Sequence, residues 1–265
     1  MIGQKKLIEK LKSYTIDSFP RSVILLGEEG MGKHTLLNYI KNDILKLPVR
    51  DITDNLDKEF IDKIYLNPTP FIYVIDFSKI TEKESNAMLK LVEEPSDTAF
   101  LILLVENKNS VLNTILNRCI IFELEHYSRD ELSEFAKNCK NKDLILDIIH
   151  SPGKIINSNV DSYIEDLQNL CSVIVTKLNK ANYLNTLTIV DKINYKDEYN
   201  KFDMFIFMDC LIYNLFSDFV YNKNKASYNM YLYLNDMRKK LLDKRLNKEL
   251  FMTNVLTNLW RLARA

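Results

Sequence analysis

The segment "SVILLGEEGMGKHT", residues 22 to 35, constrains the fold of this chain more than any other. It begins with a β-branched, apolar run, which is typical of a buried strand. The loop that follows matches the phosphate-loop pattern G-x-x-x-x-G-K at Gly27, Gly32 and Lys33, with Gly30 as a third glycine. Glycines let backbone N–H groups turn toward phosphates, and the next helix adds its positive dipole. The segment predicts a P-loop; the alternative is a glycine turn that only joins a strand to a helix.

Two positions depart from an active nucleotide site. His34 stands where the pattern carries Ser or Thr, whose hydroxyl ligates Mg²⁺. Imidazole is a poor ligand for Mg²⁺, and Thr35 is turned by about 100° around the helix. The strand "PFIYVID" ends in Asp76, and Phe77 follows it where a Glu would orient the attacking water. We therefore predict little or no hydrolysis at this chain's own site, whereas ATP binding stays open.

Strands alternate with helices through the first half of the chain. Apolar runs predict four strands, at residues 22–26, 70–76, 99–107 and 118–124. Helical patterns precede and separate them, at residues 3–15, 33–45, 57–66 and 82–93. Strands that are apolar on both faces are typical of a parallel sheet covered by helices on both sides. The predicted fold class is α/β.

The strand signals end near residue 125, and helical patterns continue to residue 265. We predict a P-loop nucleotide-binding-like domain over 1–125, a small helical module over 126–159 and a larger all-helical domain over 160–265. Pro152-Gly153 and the polar segment 157–162 mark the expected break between the two helical parts.

Composition excludes some classes of function. Lys and Arg together number 36, as do Asp and Glu, so nucleic acid contact would need a local basic patch or a partner protein. The four cysteines are scattered without a C-x-x-C pair, which argues against a zinc site and a disulfide framework. Free thiols suit a reducing cytoplasm.

No membrane segment is predicted. The start "MIGQKKLIEK" lacks the apolar core of a signal peptide. The window 202–221 is long enough to span a bilayer, but Asp203, Asn214 and Asp218 fall on one narrow helical stripe. We expect a helix that is buried on most sides of a soluble bundle.

Two further motifs carry a resemblance to a known family. The segments "SNAMLKLVEEPSDTAFLILLVEN" (85–107) and "TILNRC" (114–119) resemble the signature of bacterial clamp-loader ATPase-type subunits, which belong to the AAA+ superfamily. The family's recurring forms are "NALLKTLEEPP" and "TIRSRC". The residues that match are Asn86, Ala87, Leu89, Lys90, Glu93, Glu94, Pro95, Thr114, Ile115, Arg118 and Cys119, with Asn117 in place of Ser. The resemblance is close over 1–125, including Gly3-Gln4, and weak at "SPGK" (151–154) and 245–263.

The resemblance implies a three-part architecture. A RecA-like AAA+ sheet domain would be followed by a helical lid and an all-α collar that holds a ring together. Within the family the chain resembles the delta-prime type, a rigid and poorly catalytic subunit with a degraded nucleotide site. Lys154 would approach the nucleotide from the second sensor region, and the alternative for it is a solvated lysine. Relatives often carry four zinc-binding cysteines after the P-loop, but residues 36–70 contain none, so we predict no metal.

By the same resemblance, Arg118 is an arginine finger that acts in trans on the ATP of a neighbouring motor subunit. Such fingers are worth about 10³ to 10⁵ in rate. The alternative for Arg118 is a surface arginine in an ordinary ion pair. Cys119 is expected to be a small buried apolar residue rather than a nucleophile.

The implied function is that of a non-catalytic stator in the DNA polymerase III holoenzyme, which loads sliding clamps on primed DNA. Its partners would be motor and delta-like subunits in a hetero-oligomeric ring, with the clamp and DNA contacted indirectly. One alternative is an ATP-hydrolysing motor subunit of the gamma or tau type. Another is a stand-alone P-loop kinase or NTPase. The predicted nucleotide-binding residues, active or vestigial, are Gly27, Gly30, Gly32, Lys33, His34, Thr35, Asp76 and Lys154.

Overall fold

The computed structural model describes residues 3–156, 159–180, 203–241 and 246–264. The chain divides into two compact units. One comprises Met1–Leu132 with Ser151–Gly153, and the other comprises Ser133–His150 with Lys154–Ala265. Part of the predicted break, residues 157–158, lies outside the described residues. The three-domain division stays a prediction.

The first unit is built on a five-stranded parallel sheet. Its strands are β1 (Ser22–Leu26), β2 (Val49–Asp51), β3 (Phe71–Asp76), β4 (Ala99–Val105) and β5 (Ile120–Glu123). They lie in the order β2-β3-β4-β1-β5. The parallel sheet and the α/β class are therefore confirmed. The predicted strands correspond to β1, β3, β4 and β5, whereas β2 was missed because its three residues include only one apolar side chain.

Helices flank the sheet in this unit. They are α1 (Lys5–Lys12), α2 (Lys33–Tyr39), α3 (Lys58–Leu66), α4 (Glu82–Ala87), α5 (Leu89–Glu93), α6 (Asn113–Leu116) and the start of α7 (Arg129–Phe135). A π-helical turn, Ile40–Leu45, extends α2. The helix predicted over 82–93 is interrupted at Met88, and a capping box between Thr81 and Glu84 begins α4.

Strands β1, β3 and β4 contribute side chains to two cores, one on either face of the sheet. Ile24, Ile75 and Leu103 pack on one face, and Leu25, Val74 and Ile102 pack on the other. Successive residues of a strand point to opposite faces, so a strand between two cores must be apolar throughout. This burial explains the continuous apolar runs "SVILL" and "AFLILLV".

The second unit is helical wherever it is described in regular structure. It contains the end of α7, then α8 (Lys142–Ile148), part of α9 (Pro152–Ile155), α10 (Val160–Lys180), α11 (Met204–Asn222), α12 (Lys225–Lys240) and α13 (Lys248–Leu262). Helix α11 contacts both α10 and α12. Buried Leu211 and Leu215 lie on α11, and Leu167 and Cys171 lie on α10.

Polar side chains of α11 are paired inside this unit. The amides of Asn214 and Gln168 exchange two hydrogen bonds, at 2.9 and 3.1 Å. Asp209 receives two hydrogen bonds from the Arg238 guanidinium. Helix α11 is long and apolar enough to cross a membrane by length and composition, and a third of its most apolar window (33%) is buried within the structure. Most of its other residues are half-buried, so burial on most sides stays a prediction, and one such helix is weak support for a membrane protein.

Candidate functional site

The glycine-rich loop lies at the carboxyl end of the sheet, between β1 and α2. The N–H of Gly27 donates to the carbonyl of Val105 at the end of β4, at 3.0 Å. Gly30 and Gly32 have φ angles of +79° and +100°, a region that favours glycine because side chains clash there. Gly32 is the N-cap of α2 and has no side chain that could accept from the N–H groups of the first turn. The loop has the backbone of a phosphate site.

Lys33 lies inside this loop. Its ammonium donates to the carbonyl oxygens of Gly27, at 2.6 Å, and of Glu28, at 3.0 Å. Burial lowers the pKa of Lys33, and the nearby carboxylates of Glu106 and Asp76 oppose that shift. The two carbonyl oxygens therefore hold the Lys33 ammonium at the carboxyl end of the sheet, where the lysine of a phosphate loop contacts phosphates.

His34 and Thr35 occupy the first turn of α2, and both are exposed. They are successive helical residues, so their side chains project about 100° apart. The imidazole stands at the position from which a Ser or Thr hydroxyl would ligate Mg²⁺. The chain therefore lacks that hydroxyl at its own site.

Asp76 ends β3 as a fixed carboxylate. It accepts hydrogen bonds from the N–H and hydroxyl of Ser78, at 3.0 and 2.7 Å, and lies 3.5 Å from the Lys79 ammonium. Burial raises the pKa of Asp76, but the Ser78 hydrogen bonds and Lys79 outweigh it, so the net pKa is lowered. Its backbone N–H donates to the Thr53 hydroxyl, at 2.9 Å. The carboxylate is thus ionised at neutral pH.

Phe77 packs in a hydrophobic core and is 2% exposed. Its N–H donates to the carbonyl of Leu104, at 2.9 Å, so the backbone continues the sheet at this point. The residue that would orient an attacking water is thus a core side chain. Within the described residues, no group of three or more His, Cys, Asp or Glu side chains could hold a metal ion.

Contacts that sequence reasoning missed support the loop within the same unit. The Tyr127 hydroxyl donates to the carbonyl of Met31, at 3.1 Å, and the N–H of Gly153 donates to the carbonyl of Gly30, at 2.9 Å. The Gln4 side chain pairs with both backbone groups of Glu125. The partners in each of these three contacts lie about a hundred residues apart or more in sequence, so local patterns could not predict the contacts. The only related signals in the sequence were the family matches at Gly3-Gln4 and "SPGK".

Lys154 belongs to the helical unit. There its ammonium forms an ion pair with Asp203, which also caps the first turn of α11. Its predicted part in nucleotide binding stays a prediction.

Arg118 follows α6 and precedes β5. Its Nη2 lies 3.2 Å from Oε1 of Glu93, and its Nη1 donates to the carbonyl of Thr114, at 3.0 Å. The Arg118 side chain is 43% exposed. The adjacent Cys119 is buried, and burial raises its pKa to about 12, so it is a thiol at neutral pH. The expected apolar role of Cys119 is confirmed.

Comparisons of the sequence with known proteins found a family model and several curated relatives. Residues 30–128 match the family model described as DNA polymerase III, delta subunit. A DNA polymerase III subunit gamma from Buchnera aphidicola (subsp. Schizaphis graminum) is 26% identical over 176 residues, covering 54% of this chain and 48% of the relative. A DNA polymerase III subunit delta' from Haemophilus influenzae is 24% identical over 155 residues, covering 56% of this chain and 47% of the relative.

The solved structures show the fold. A DNA polymerase III gamma subunit-related protein from Thermotoga maritima superposes with a TM-score of 0.52 at 14% identity, covering 98% of this chain and 100% of that chain. The chain spans about half the length of the curated relatives it matches.

Proposed function

We propose that this chain belongs to the clamp-loader family and acts as a delta-prime-type subunit; its family-model match and its curated relatives support the proposal. In this role it is a non-hydrolysing stator within a cytoplasmic ring of loader subunits. It supplies Arg118 in trans to the ATP of a neighbouring motor subunit. The ring places a sliding clamp on primed DNA, which this chain contacts only indirectly.

One contrast within the first unit carries the proposal. At the chain's own site, His34 replaces the Ser or Thr whose hydroxyl would ligate Mg²⁺, and Phe77 replaces the Glu that would orient water. The Phe77 ring is 2% exposed in the core. Arg118, in contrast, is presented to solvent at 43% exposure. Phosphoryl transfer depends on positioning and charge stabilisation, so a subunit with this distribution is suited to assist hydrolysis elsewhere.

The helical unit supports a role in assembly. Its described helices α10 to α13 form a packed bundle without a second phosphate loop in the described ranges. Clamp-loader relatives act as subunits of DNA polymerase III, so we assign this unit to the collar over 160–265. The small helical part over 126–159 is assigned to the lid.

The nucleotide site itself is proposed to be weak. Gly27, Gly30, Gly32 and Lys33 keep the shape of a phosphate loop, so ATP binding is compatible with the fold. His34 removes the Mg²⁺ ligand. Thr35 and Lys154 are secondary candidates for nucleotide contact.

A motor subunit of the gamma type is the second candidate. Two of the curated relatives are gamma subunits, and the glycine loop and Lys33 are intact. ATP turnover by the purified chain, abolished by Lys33→Ala, would favour this function over the stator.

The test is the clamp- and DNA-stimulated ATPase rate of the reconstituted loader. We expect Arg118→Ala to lower the rate at one motor site by about a hundredfold or more, because an arginine finger stabilises transition-state charge. Arg50→Ala is the matched control, since it removes another exposed arginine, one that stacks on the Phe60 ring. Equal rates for the two variants, with assembly intact, would refute the finger.

A further inference from the structure

We propose that Glu93 is a positioning residue that sets the direction of the Arg118 guanidinium. The inference rests on the proposed function, since it concerns the same arginine finger. It goes beyond that function because it assigns a role to a carboxylate that would otherwise only end a helix. The two residues are 25 positions apart in sequence and meet through the packing of α5 against α6.

The guanidinium is held at two points by two different helices. Glu93, the last residue of α5, lies 3.2 Å from Nη2 through its Oε1 atom. The carbonyl of Thr114 on α6 accepts from Nη1, at 3.0 Å. A guanidinium is planar and its N–H groups point in fixed directions, so two contacts on separate nitrogens fix both its place and its plane. One contact alone would leave the plane free to rotate.

Both holding groups are anchored in the core. Leu91 and Val92, just before Glu93, are 1% and 3% exposed, and Ile115, next to Thr114, is fully buried. The N–H groups of Arg118 and Cys119 both donate to the carbonyl of Ile115, at 3.1 and 3.2 Å. The side chain of Arg118 therefore extends from a backbone that is itself fixed. Functional groups on such supports keep their direction better than groups on loops.

The pairing leaves most of the arginine's donors available. A guanidinium has five N–H groups; one on Nη1 donates to the carbonyl of Thr114, and Nη2 lies in ion-pair range of Glu93. The remaining donors can reach phosphate oxygens from the exposed side of the group. Glu93 therefore orients the Arg118 guanidinium and leaves its remaining N–H donors accessible to a phosphate.

Folding does not require this pair. The side chains of Arg118 and Glu93 are 43% and 42% exposed, and exposed ion pairs contribute little to stability. A loss of rate in a Glu93 variant would therefore reflect misplacement of the finger rather than unfolding. Small misplacements at a reacting centre can cost up to about a hundredfold in rate.

The test uses the reconstituted loader with clamp and primed DNA, and measures stimulated ATP hydrolysis. We expect Glu93→Ala to lower kcat about tenfold with an unchanged KM for ATP, because a finger acts on the transition state. Glu93→Gln should lose less than Glu93→Ala, since its amide oxygen keeps a polar partner near Nη2 although the charge of the ion pair is lost. Glu94→Ala is the matched control, because it removes the neighbouring exposed carboxylate, which has no ion pair with Arg118. Thermal melting and assembly of each variant should match those of the wild type.

A double variant separates positioning from an independent effect. If Glu93 acts only through Arg118, adding Glu93→Ala to Arg118→Ala lowers the rate no further. A further loss in the double variant would overturn the inference. So would an unchanged or raised rate for Glu93→Ala while Arg118→Ala is impaired. An unchanged rate for Arg118→Ala itself would instead refute the proposed function.

Discussion

The backbone of Gly153 comes close to the phosphate loop, and substituting this residue tests whether that contact matters. An ideal Cβ at Gly153 would lie 2.8 Å from Cα and 3.0 Å from the carbonyl oxygen of Gly30. Carbon atoms in contact are normally about 3.5 to 4.0 Å apart, so Gly153→Ala requires the two backbones to separate by about 0.7 Å or more. A shift of that size would lengthen the 2.9 Å hydrogen bond between Gly153 and Gly30 beyond ordinary reach.

The energetic cost follows from these two effects. Overpacking typically destabilises by about 1 to 3 kcal/mol, and a lost hydrogen bond adds about 1 kcal/mol. Replacing Gly by Ala also restricts the unfolded chain, which returns about 0.4 to 1 kcal/mol. We therefore expect Gly153→Ala to lower the free energy of unfolding by about 1 to 3 kcal/mol.

The assay is urea unfolding, combined with hydrogen exchange of the Gly153 amide. Gly27→Ala is the matched control, because the nearest atom to its Cβ would be the Leu124 Cβ at 3.3 Å, a contact that a shift of a few tenths of an ångström would relieve. We expect Gly27→Ala to cost less than Gly153→Ala and to leave the exchange at Gly153 unchanged. Wild-type stability together with wild-type exchange in Gly153→Ala would refute the steric reasoning.

Two further predictions concern the end of β3. Asp76 has a lowered pKa, so its carboxylate stabilises the fold above its ordinary pKa and the effect is lost as the pH falls through the lowered value. The melting temperature of Asp76→Asn should thus lie below that of the wild type at pH 7, and the difference should disappear as the pH falls below the ordinary aspartate pKa of about 3.9 and through the lowered value. Phe77→Glu should restore no ATPase activity and should cost several kcal/mol of unfolding free energy, about the penalty for an unpaired buried charge, because position 77 is buried. Phe77→Leu is its control, and equal urea midpoints for the two variants would contradict the buried placement.

The sheet was predictable because burial on both faces favours an apolar residue at nearly every position of its central strands. The runs that contain β1, β3 and β4 carry this signal, and the loop after β1 follows from its glycines. Strand β2 was not predictable, since Val49–Asp51 lies at the sheet's edge and pairs only with β3. Its half-buried and exposed residues leave no periodic pattern.

The candidate site was predictable residue by residue but not in its contacts. Lys33 and Asp76 are placed by the strands that precede them, which local sequence reveals. The pairs Glu93 with Arg118 and Gly30 with Gly153 depend on how distant segments meet. Such long-range contacts arise from tertiary packing, which a local sequence motif does not encode.

The hydrogen bonds accepted by the carbonyl groups of the phosphate loop affect how a nucleotide site can evolve. Those of Gly27, Glu28, Gly30 and Met31 all accept hydrogen bonds from the protein's own groups. The protein's own hydrogen bonds therefore hold the loop in shape without a bound phosphate. A mutation that removes a nucleotide contact, such as a histidine in place of a magnesium-binding hydroxyl, leaves this scaffold intact. Loss of catalysis at this place is thus separable from loss of the fold.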